Sequence, residues 1–393
     1  MGALTAPALL GALLRAAAAE GLPLVRLDAA ADPAAPVTGH DADLLAGWRA
    51  WPVWLRLVRN VAAASGWRLC LAVPRGGVML LFLANMSEDG PPDCLQIDLH
   101  RDLSAHGLSY LRASTILAGA RQGAGALRLD AATAADCVVR GKALAAAPAQ
   151  QWVLLLFDTL LRRPDLALRL WTAKLVDAVS RLMDPPGRMI AISGPDGAGK
   201  STLIQRLGVD LPRRLAPAVR VFHTRTFLLP RLGLSAPSAP AGVAALRPTG
   251  PLRSRLRLAV ALADWWIGHA AVVRWHLSAG RLVLFDRYAV DYRVDPRRRG
   301  IDLPPRWLRL LAWVPRPALS ILLVAAPALL VQRKGELDLH EAERQVAAYR
   351  EAARTIRPAA LFDSGAMDTD RLAALACRSI ATVLSGDAHP PGP

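Results

Sequence analysis

The chain has 393 residues, a formal net charge of +16, and a composition that is 53% hydrophobic and 20% charged. That apolar content excludes an intrinsically disordered chain and, at roughly 100–200 residues per domain, supplies two or three cores. The positive charge comes mostly from arginine. It is read as compositional bias in preference to an anionic nucleic-acid or membrane partner.

The first twenty residues, Met1–Glu20, are apolar but lack a basic leading segment and are interrupted by Arg15, so no secretory leader is expected. Residues 1–150 mix short apolar strands with Gly, Pro and Asp turns, the pattern of an α+β domain. Within it, Asp41-Ala-Asp43 follows a glycine, and Asp98 interrupts the apolar run Gln96–His100. Two acids two apart on a strand, with a third on its neighbour, can hold divalent metal for attack on a nucleotide. The alternative is that Asp41 and Asp43 merely cap a helix. His100 and His106 are expected on the surface. Trp48, Trp51 and Trp54 recur every three residues, as on one helix face, and together with Trp67, Trp265 and Trp266 are expected in core packing. Cys70, Cys94, Cys137 and Cys377 lie far apart with no Cys-x-x-Cys. They read as reduced core thiols of a cytoplasmic protein.

Residues 151–187 carry helical periodicity over Trp152–Leu161 and Asp165–Met183. Pro164 suits a first turn, and Asp184-Pro-Pro-Gly187 ends the segment. A second domain, 188–386, begins there. Met189–Ser193, Val219–Phe222, Leu282–Phe285 and Leu319–Val324 are strand-length apolar runs spaced for crossover helices, which predicts an α/β parallel sheet covered on both faces. The longest apolar run, Ala318–Val331, contains Ser320 and Pro327. It is shorter than the ~20 residues a membrane span needs, so it reads as a strand and a helix, and no transmembrane span is expected. Ser235–Gly250 is expected to be a mobile loop, and 387–393 a disordered tail.

The strand Met189–Ser193 runs into Gly194-Pro195-Asp196-Gly197-Ala198-Gly199-Lys200-Ser201-Thr202. This fits G-x-x-x-x-G-K-[ST] between a strand and a helix. Glycines let backbone N–H groups turn toward phosphate oxygens, and the helix start adds its positive dipole end. Lys200 would reach the β- and γ-phosphates of ATP, and Ser201 would ligate Mg²⁺. A carboxylate beside phosphates would be repelled, so Asp196 must face a donor, the metal or a second substrate. Downstream, Leu282–Phe285 ends in Asp286-Arg287-Tyr288, where a carboxylate can serve Mg²⁺.

These two motifs resemble thymidylate kinases, over about residues 188–380. The resemblance implies a P-loop NTPase three-layer fold and ATP- and Mg²⁺-dependent phosphoryl transfer to a nucleoside monophosphate. By the same resemblance, Asp196 contacts the acceptor sugar and Asp286 organises metal, while Arg287, with Tyr288 beside it, binds the acceptor phosphate. Arg225, in Phe222-His223-Thr224-Arg225, is the candidate for the family's acceptor-phosphate loop, although the family's Arg-Glu-Pro-Gly-Gly is absent. Arg333 and Lys334, in Gln332-Arg-Lys-Gly335, occupy the lid position. The insert Arg231–Pro251 and the segment Asp291–Gly300 depart from the family, which leaves acceptor identity open. The alternatives are a nucleotide-binding regulatory or assembly protein, and a kinase for a sugar or polynucleotide end. The expected partner is a small-molecule nucleotide, with a homodimer compatible and nucleic acid less favoured. The acids Asp41, Asp43 and Asp98 resemble the polymerase-beta-type nucleotidyltransferase fold. That family's Gly-Ser helix start is not evident, so a degenerate relative is expected, or else an unrelated α+β domain.

Overall fold

The computed structural model describes residues 4–22, 24–26, 41–46, 51–75, 77–86, 92–100, 103–105, 108–111, 121–122, 127–128, 164–224, 250–296, 300–334 and 338–386. The chain divides into two compact units, 1–88 with 92–184, and 89–91 with 185–393.

The first unit is built on a mixed sheet. Its strands are β1 (Val25–Arg26), β2 (Asp41–Leu45), β3 (Trp67–Arg75), β4 (Val78–Asn85) and β5 (Cys94–His100), with short β8 (Arg121–Gln122) and β9 (Leu127–Arg128). They lie in the order β3-β4-β5-β2-β1-β9-β8, and β6 (Leu103–Ala105) pairs with β7 (Leu108–Leu111) apart from them. Helices α1 (Ala6–Ala19) and α2 (Trp51–Ala64) contribute Leu9, Leu13, Trp54 and Val58 to a core shared with Trp67, Leu81 and Ile97 of the sheet. The Trp67 indole donates to the Leu4 carbonyl at 2.7 Å, so the buried ring leaves no polar cost. Helix α3 (Pro164–Met183) also belongs to this unit, and its Arg181 donates to the Pro74 carbonyl at 3.2 Å. The expected helix Trp152–Leu161 lies outside the described residues, as do Trp48, His106 and Cys137.

The second unit is an α/β layer structure around a five-stranded sheet. Strands β10 (Met189–Ser193), β11 (Val219–His223), β12 (Leu282–Asp286), β13 (Leu319–Val324) and β14 (Ala359–Asp363) lie in the order β11-β12-β10-β13-β14, and every pairing is parallel. Every residue of β10 and β13 is buried, as expected of strands covered on both faces. The chain moves to one side of β10 to make β11 and β12, then to the other for β13 and β14. The carboxyl end of β10 is therefore where the order reverses, the position at which open α/β sheets bind ligands. The fifth strand, β14, has no counterpart in the sequence reading, because Ala359–Asp363 alternates partly buried and buried residues where β10 and β13 form continuous buried runs.

The crossovers are α4 (Lys200–Asp210), α5 (Pro251–Ser278, with a π-turn at His269–Val273), α6 (Ala289–Val294), α7 (Pro305–Leu308), α8 (Pro327–Lys334), α9 (Leu339–Thr355) and α10 (Thr369–Leu384). Asp338 and Asp368 cap α9 and α10 by accepting the backbone N–H groups of Glu341 and Arg371, each at 2.7 Å. Among the described residues, α5 alone is long and apolar enough, by length and composition, to cross a membrane. Its inner face supplies Leu258, Ala261, Trp265, Val273 and Leu277 to the core beneath β12. Trp265 is 2% exposed but Trp266 is 53% exposed, so the expectation that both pack inward holds for one only. Adjacent helix positions differ by about 100°, and two neighbouring tryptophans cannot share one face. The loop expected at Ser235–Gly250 falls on undescribed residues except for Gly250, as does the tail 387–393.

Candidate functional site

The glycine loop between β10 and α4 opens at the carboxyl edge of the sheet. Gly197 and Gly199 have φ of 85° and 78°, the left-handed region that glycine tolerates and other residues resist. A side chain at Gly194 would meet the Leu323 carbonyl oxygen at 2.4 Å. The loop thus needs its glycines both for conformation and for close approach to β13. Lys200, the first residue of α4, is buried, and its ammonium donates to the carbonyls of Gly194 at 2.9 Å and Pro195 at 2.7 Å. Burial, with the Arg287 cation adding to it, pulls the Lys200 pKa down from 10.5 to about 8, against the opposing pull of Asp196 and two further carboxylates.

Strand register places Asp286 opposite Ile192, at the mouth of the loop. One carboxylate oxygen, Oδ2, lies 3.0 Å from His223 Nδ1 at the end of β11. The other, Oδ1, is buried with no hydrogen-bond partner. An orphaned buried carboxylate oxygen calls for a donor or a cation. Arg287 follows with φ 71°, its backbone N–H donating to the Ile192 carbonyl at 2.8 Å. Its guanidinium pairs with Asp196 of the loop and, at 3.1 Å, with Asp291 of α6. Asp291 is 2% exposed and also accepts from the Tyr349 hydroxyl at 2.8 Å and the Tyr288 backbone N–H at 3.0 Å. Burial pushes the Tyr349 hydroxyl pKa well up, and the adjoining Asp291 carboxylate pushes it further.

A cavity of about 660 Å³ opens over this edge. It is lined by Asp196, Lys200, Ser201, Asp286, Arg287 and Arg333, and also by Ser364, Met367, Thr369 and Leu372. Arg333 is exposed in the last turn of α8 and donates to the Gly197 carbonyl at 3.2 Å. The structure therefore gathers Gly194–Thr202, Asp286, Arg287 and Arg333 at one sheet edge. Arg225 lies outside the described residues, and so does the side chain of Lys334.

One expectation at this edge needs correction. Tyr288 does not line the cavity: it is 3% exposed, packs on Trp265 and Phe285, and donates its hydroxyl to the Pro315 carbonyl at 2.7 Å. The left-handed turn at Arg287 sends the arginine outward and the tyrosine into the core. Arg287 lines the cavity, with two carboxylates already holding it. Asp196 likewise meets this arginine, the donor its position requires. Sequence reasoning missed Asp291, Tyr349 and the wall Ser364–Leu372. Asp291 carries a local signal, an acid in the first turn of a short helix after a strand-end arginine. Tyr349 carries none, since its partner is 58 residues away.

In the first unit, β2 and β5 are parallel, with Asp41 opposite Gln96 and Asp43 opposite Asp98. Residues opposite one another in register share a face, so Asp43 and Asp98 stand on one side of the sheet. His100 Nε2 lies 3.0 Å from Asp43 Oδ1, and Gln96 donates to Asp98 at 2.8 Å. His100, its side chain 20% exposed, is thus a satisfied histidine held on the sheet face. The side chain of Asp41 lies outside the described part. Among the described residues, no group of three His, Cys, Asp or Glu is arranged to hold a metal ion.

No protein-family model matches the chain, and no curated protein matches it significantly.

Proposed function

We propose that the second unit is a P-loop phosphotransferase of the thymidylate kinase type, which transfers the γ-phosphoryl group of ATP to a nucleoside monophosphate. The observation that carries this reading is the meeting of two chain segments. A G-x-x-x-x-G-K-S loop with its lysine, and an Asp-Arg strand end with an orphaned carboxylate oxygen, line one cavity where the strand order reverses. The loop amides and Lys200 would bind the ATP phosphates. Ser201 and Asp286 fit Mg²⁺, since a hydroxyl and a buried unpartnered carboxylate oxygen are hard oxygen donors. When bound, the metal supplies charge neutralisation along the phosphates. Arg287 would orient the acceptor phosphate through its fork, and Arg333 would face the charge that develops on the transferred group. No covalent intermediate is required; positioning and charge carry the chemistry.

The charge balance agrees with a metal requirement. Around the cavity Lys200, Arg287 and Arg333 are matched by Asp196, Asp286 and Asp368, so the protein groups carry no net positive charge for a polyanion until a divalent cation arrives. A cytoplasmic location goes with the buried thiols Cys70, Cys94 and Cys377. A second reading, a nucleotide-binding regulatory or assembly protein, is favoured by one observation: Arg287 is already held by two carboxylates.

ATP turnover with Mg²⁺ across a panel of nucleoside monophosphates decides between them. Acceptor-dependent turnover that vanishes on chelation of Mg²⁺ is expected. Tight Mg²⁺·ATP binding with no acceptor-dependent turnover on any member of the panel would remove the nucleoside monophosphate reading and favour the regulatory one.

A further inference from the structure

We propose that Asp291 and Tyr349 are positioning residues that fix the Arg287 guanidinium at the cavity wall, presenting its remaining donors to the phosphate of the acceptor. The phosphate part rests on the phosphotransferase reading; the positioning part stands on geometry alone.

Arginine at φ 71° is held in the left-handed region that disfavours any residue with a side chain. Two contacts keep it there. Its own N–H donates to the Ile192 carbonyl at 2.8 Å, and the next N–H, that of Tyr288, donates to Asp291 Oδ2 at 3.0 Å. The same Asp291 takes the guanidinium Nη1 on Oδ1 at 3.1 Å. One carboxylate therefore sets both the backbone turn and the side-chain direction of Arg287.

Asp291 is itself immobilised. It is 2% exposed and belongs to the first turn of α6, and Oδ1 also accepts the Tyr349 hydroxyl at 2.8 Å. Tyr349 is equally buried, on α9, and its hydroxyl serves Asp291. Neither residue is among those lining the cavity, whereas Arg287 is. They can therefore act on a ligand only through the arginine.

A guanidinium carries five N–H donors. Two are engaged, by Asp291 and Asp196, and Arg287 stays partly exposed at the cavity. The partners orient the fork without exhausting it. A purely structural ion pair would have no need to end at the cavity beside Lys200. The placement of Tyr349 has a further consequence. Helix α9 follows α8, which carries Arg333, so the hydroxyl ties the element after the lid-position cation to the arginine that lines the same cavity.

The test uses the full chain with Tyr349→Phe and Asp291→Asn. Phenylglyoxal, which modifies arginine side chains that are free to react, is applied, and modification at Arg287 is followed by peptide mass spectrometry. In parallel, Mg²⁺·ATP affinity is titrated, and KM and kcat are measured with dTMP and the other nucleoside monophosphates. Tyr349→Phe should leave the unfolding midpoint within a few degrees and the ATP affinity within about twofold. It should speed Arg287 modification by about 3- to 10-fold and raise the acceptor KM by a similar factor with little change in kcat, the scale of one ordinary hydrogen bond, since the effect reaches the arginine only through Asp291. Asp291→Asn should exceed it in both readouts; if that variant does not fold, Tyr349→Phe decides alone. An unchanged Arg287 modification rate in the folded variants would overturn the proposal. Faster modification in a chain whose wild type phosphorylates no nucleoside monophosphate would uphold the positioning role and remove the acceptor reading.

Discussion

In the second unit, Asp196 and Asp291 are buried and each meets Arg287, while Lys200 lies 3.8 Å from Asp196. In the first unit, the side chain of Asp43 is 49% exposed and its partner is a histidine. Both units place acids at a strand end or on a sheet face, yet only one takes its charges out of water. Burying an ion costs several kcal/mol unless it is paired and hydrogen-bonded, and a chain that accepts this cost at one sheet edge has concentrated its chemistry there. A half-exposed acid beside a histidine demands nothing comparable, because water serves it.

The harshest way to break this contrast is to remove the lysine. Lys200→Ala should lower ATP-dependent transfer by about 10³-fold or more, the scale expected when a preorganised cation on a phosphate is lost. The circular dichroism spectrum should not change, since the ammonium bonds only to loop carbonyls. Near-normal turnover in that variant would mean that the glycine loop is not the reacting centre.

The same lysine gives a stability signature. Lys200 titrates near 10.5 in the unfolded chain and at about 8 in the fold. Between those values the unfolded chain binds the extra proton, so stability rises with pH across the window; below about 8 the fold carries the full cost of a buried ammonium. Relative to Lys200→Met, the wild type should therefore gain on the order of 3 kcal/mol as pH rises from 7 to beyond 10. Denaturant unfolding of the two proteins at pH 7 and pH 10 measures the difference. ATP affinity should move the opposite way, falling as pH rises through about 8 and the cation is lost. A pH-independent difference between the two proteins would show that Lys200 is not desolvated.

Much of this edge was legible in the sequence because its signals are local. The loop declares itself within nine residues, and continuous apolar runs mark β10, β12 and β13. What escaped is non-local. The bond from Tyr349 to Asp291 spans 58 residues and that from Arg287 to Asp196 spans 91, and no periodicity announces such pairs. The same blindness misplaced Tyr288, whose neighbours Trp265 and Pro315 lie far away along the chain. In the first unit, spacing gave the acids, but only strand register put Asp43 opposite Asp98.

Arg287→Lys and Asp286→Asn should separate the acceptor role from the metal role at this strand end. A lysine keeps the charge and loses the fork, so it cannot hold Asp196, Asp291 and a phosphate together. About a tenfold loss in acceptor kcat/KM is expected, with ATP affinity spared. Asp286→Asn should leave acceptor KM nearly unchanged and lower kcat, with the Mg²⁺ concentration needed for half-maximal rate shifted upward, because the oxygen left without a partner becomes an amide. The opposite pattern, with Arg287→Lys weakening ATP and leaving the acceptor untouched, would remove the phosphate-gripping role.

The smallest effects should come from the first unit. Asp43 already shares Oδ1 with His100, and Asp98 accepts from Gln96. These protein contacts occupy oxygens that a metal would need. The described residues there offer no three-ligand group, and divalent cations held by only one or two carboxylates in water bind weakly. Asp43→Asn and Asp98→Asn should therefore change nucleoside monophosphate phosphorylation by less than about twofold. Such a loss is below the roughly 1 kcal/mol of an ordinary hydrogen bond. Titration of the full chain carrying Lys200→Ala, in which the glycine loop is disabled, should show only weak Mg²⁺-dependent binding of nucleoside triphosphates. Tight binding in that background, abolished by Asp43→Asn or Asp98→Asn, would reverse the comparison: the exposed acids would then hold a second nucleotide site, and half-exposure would be the mark of an open metal site.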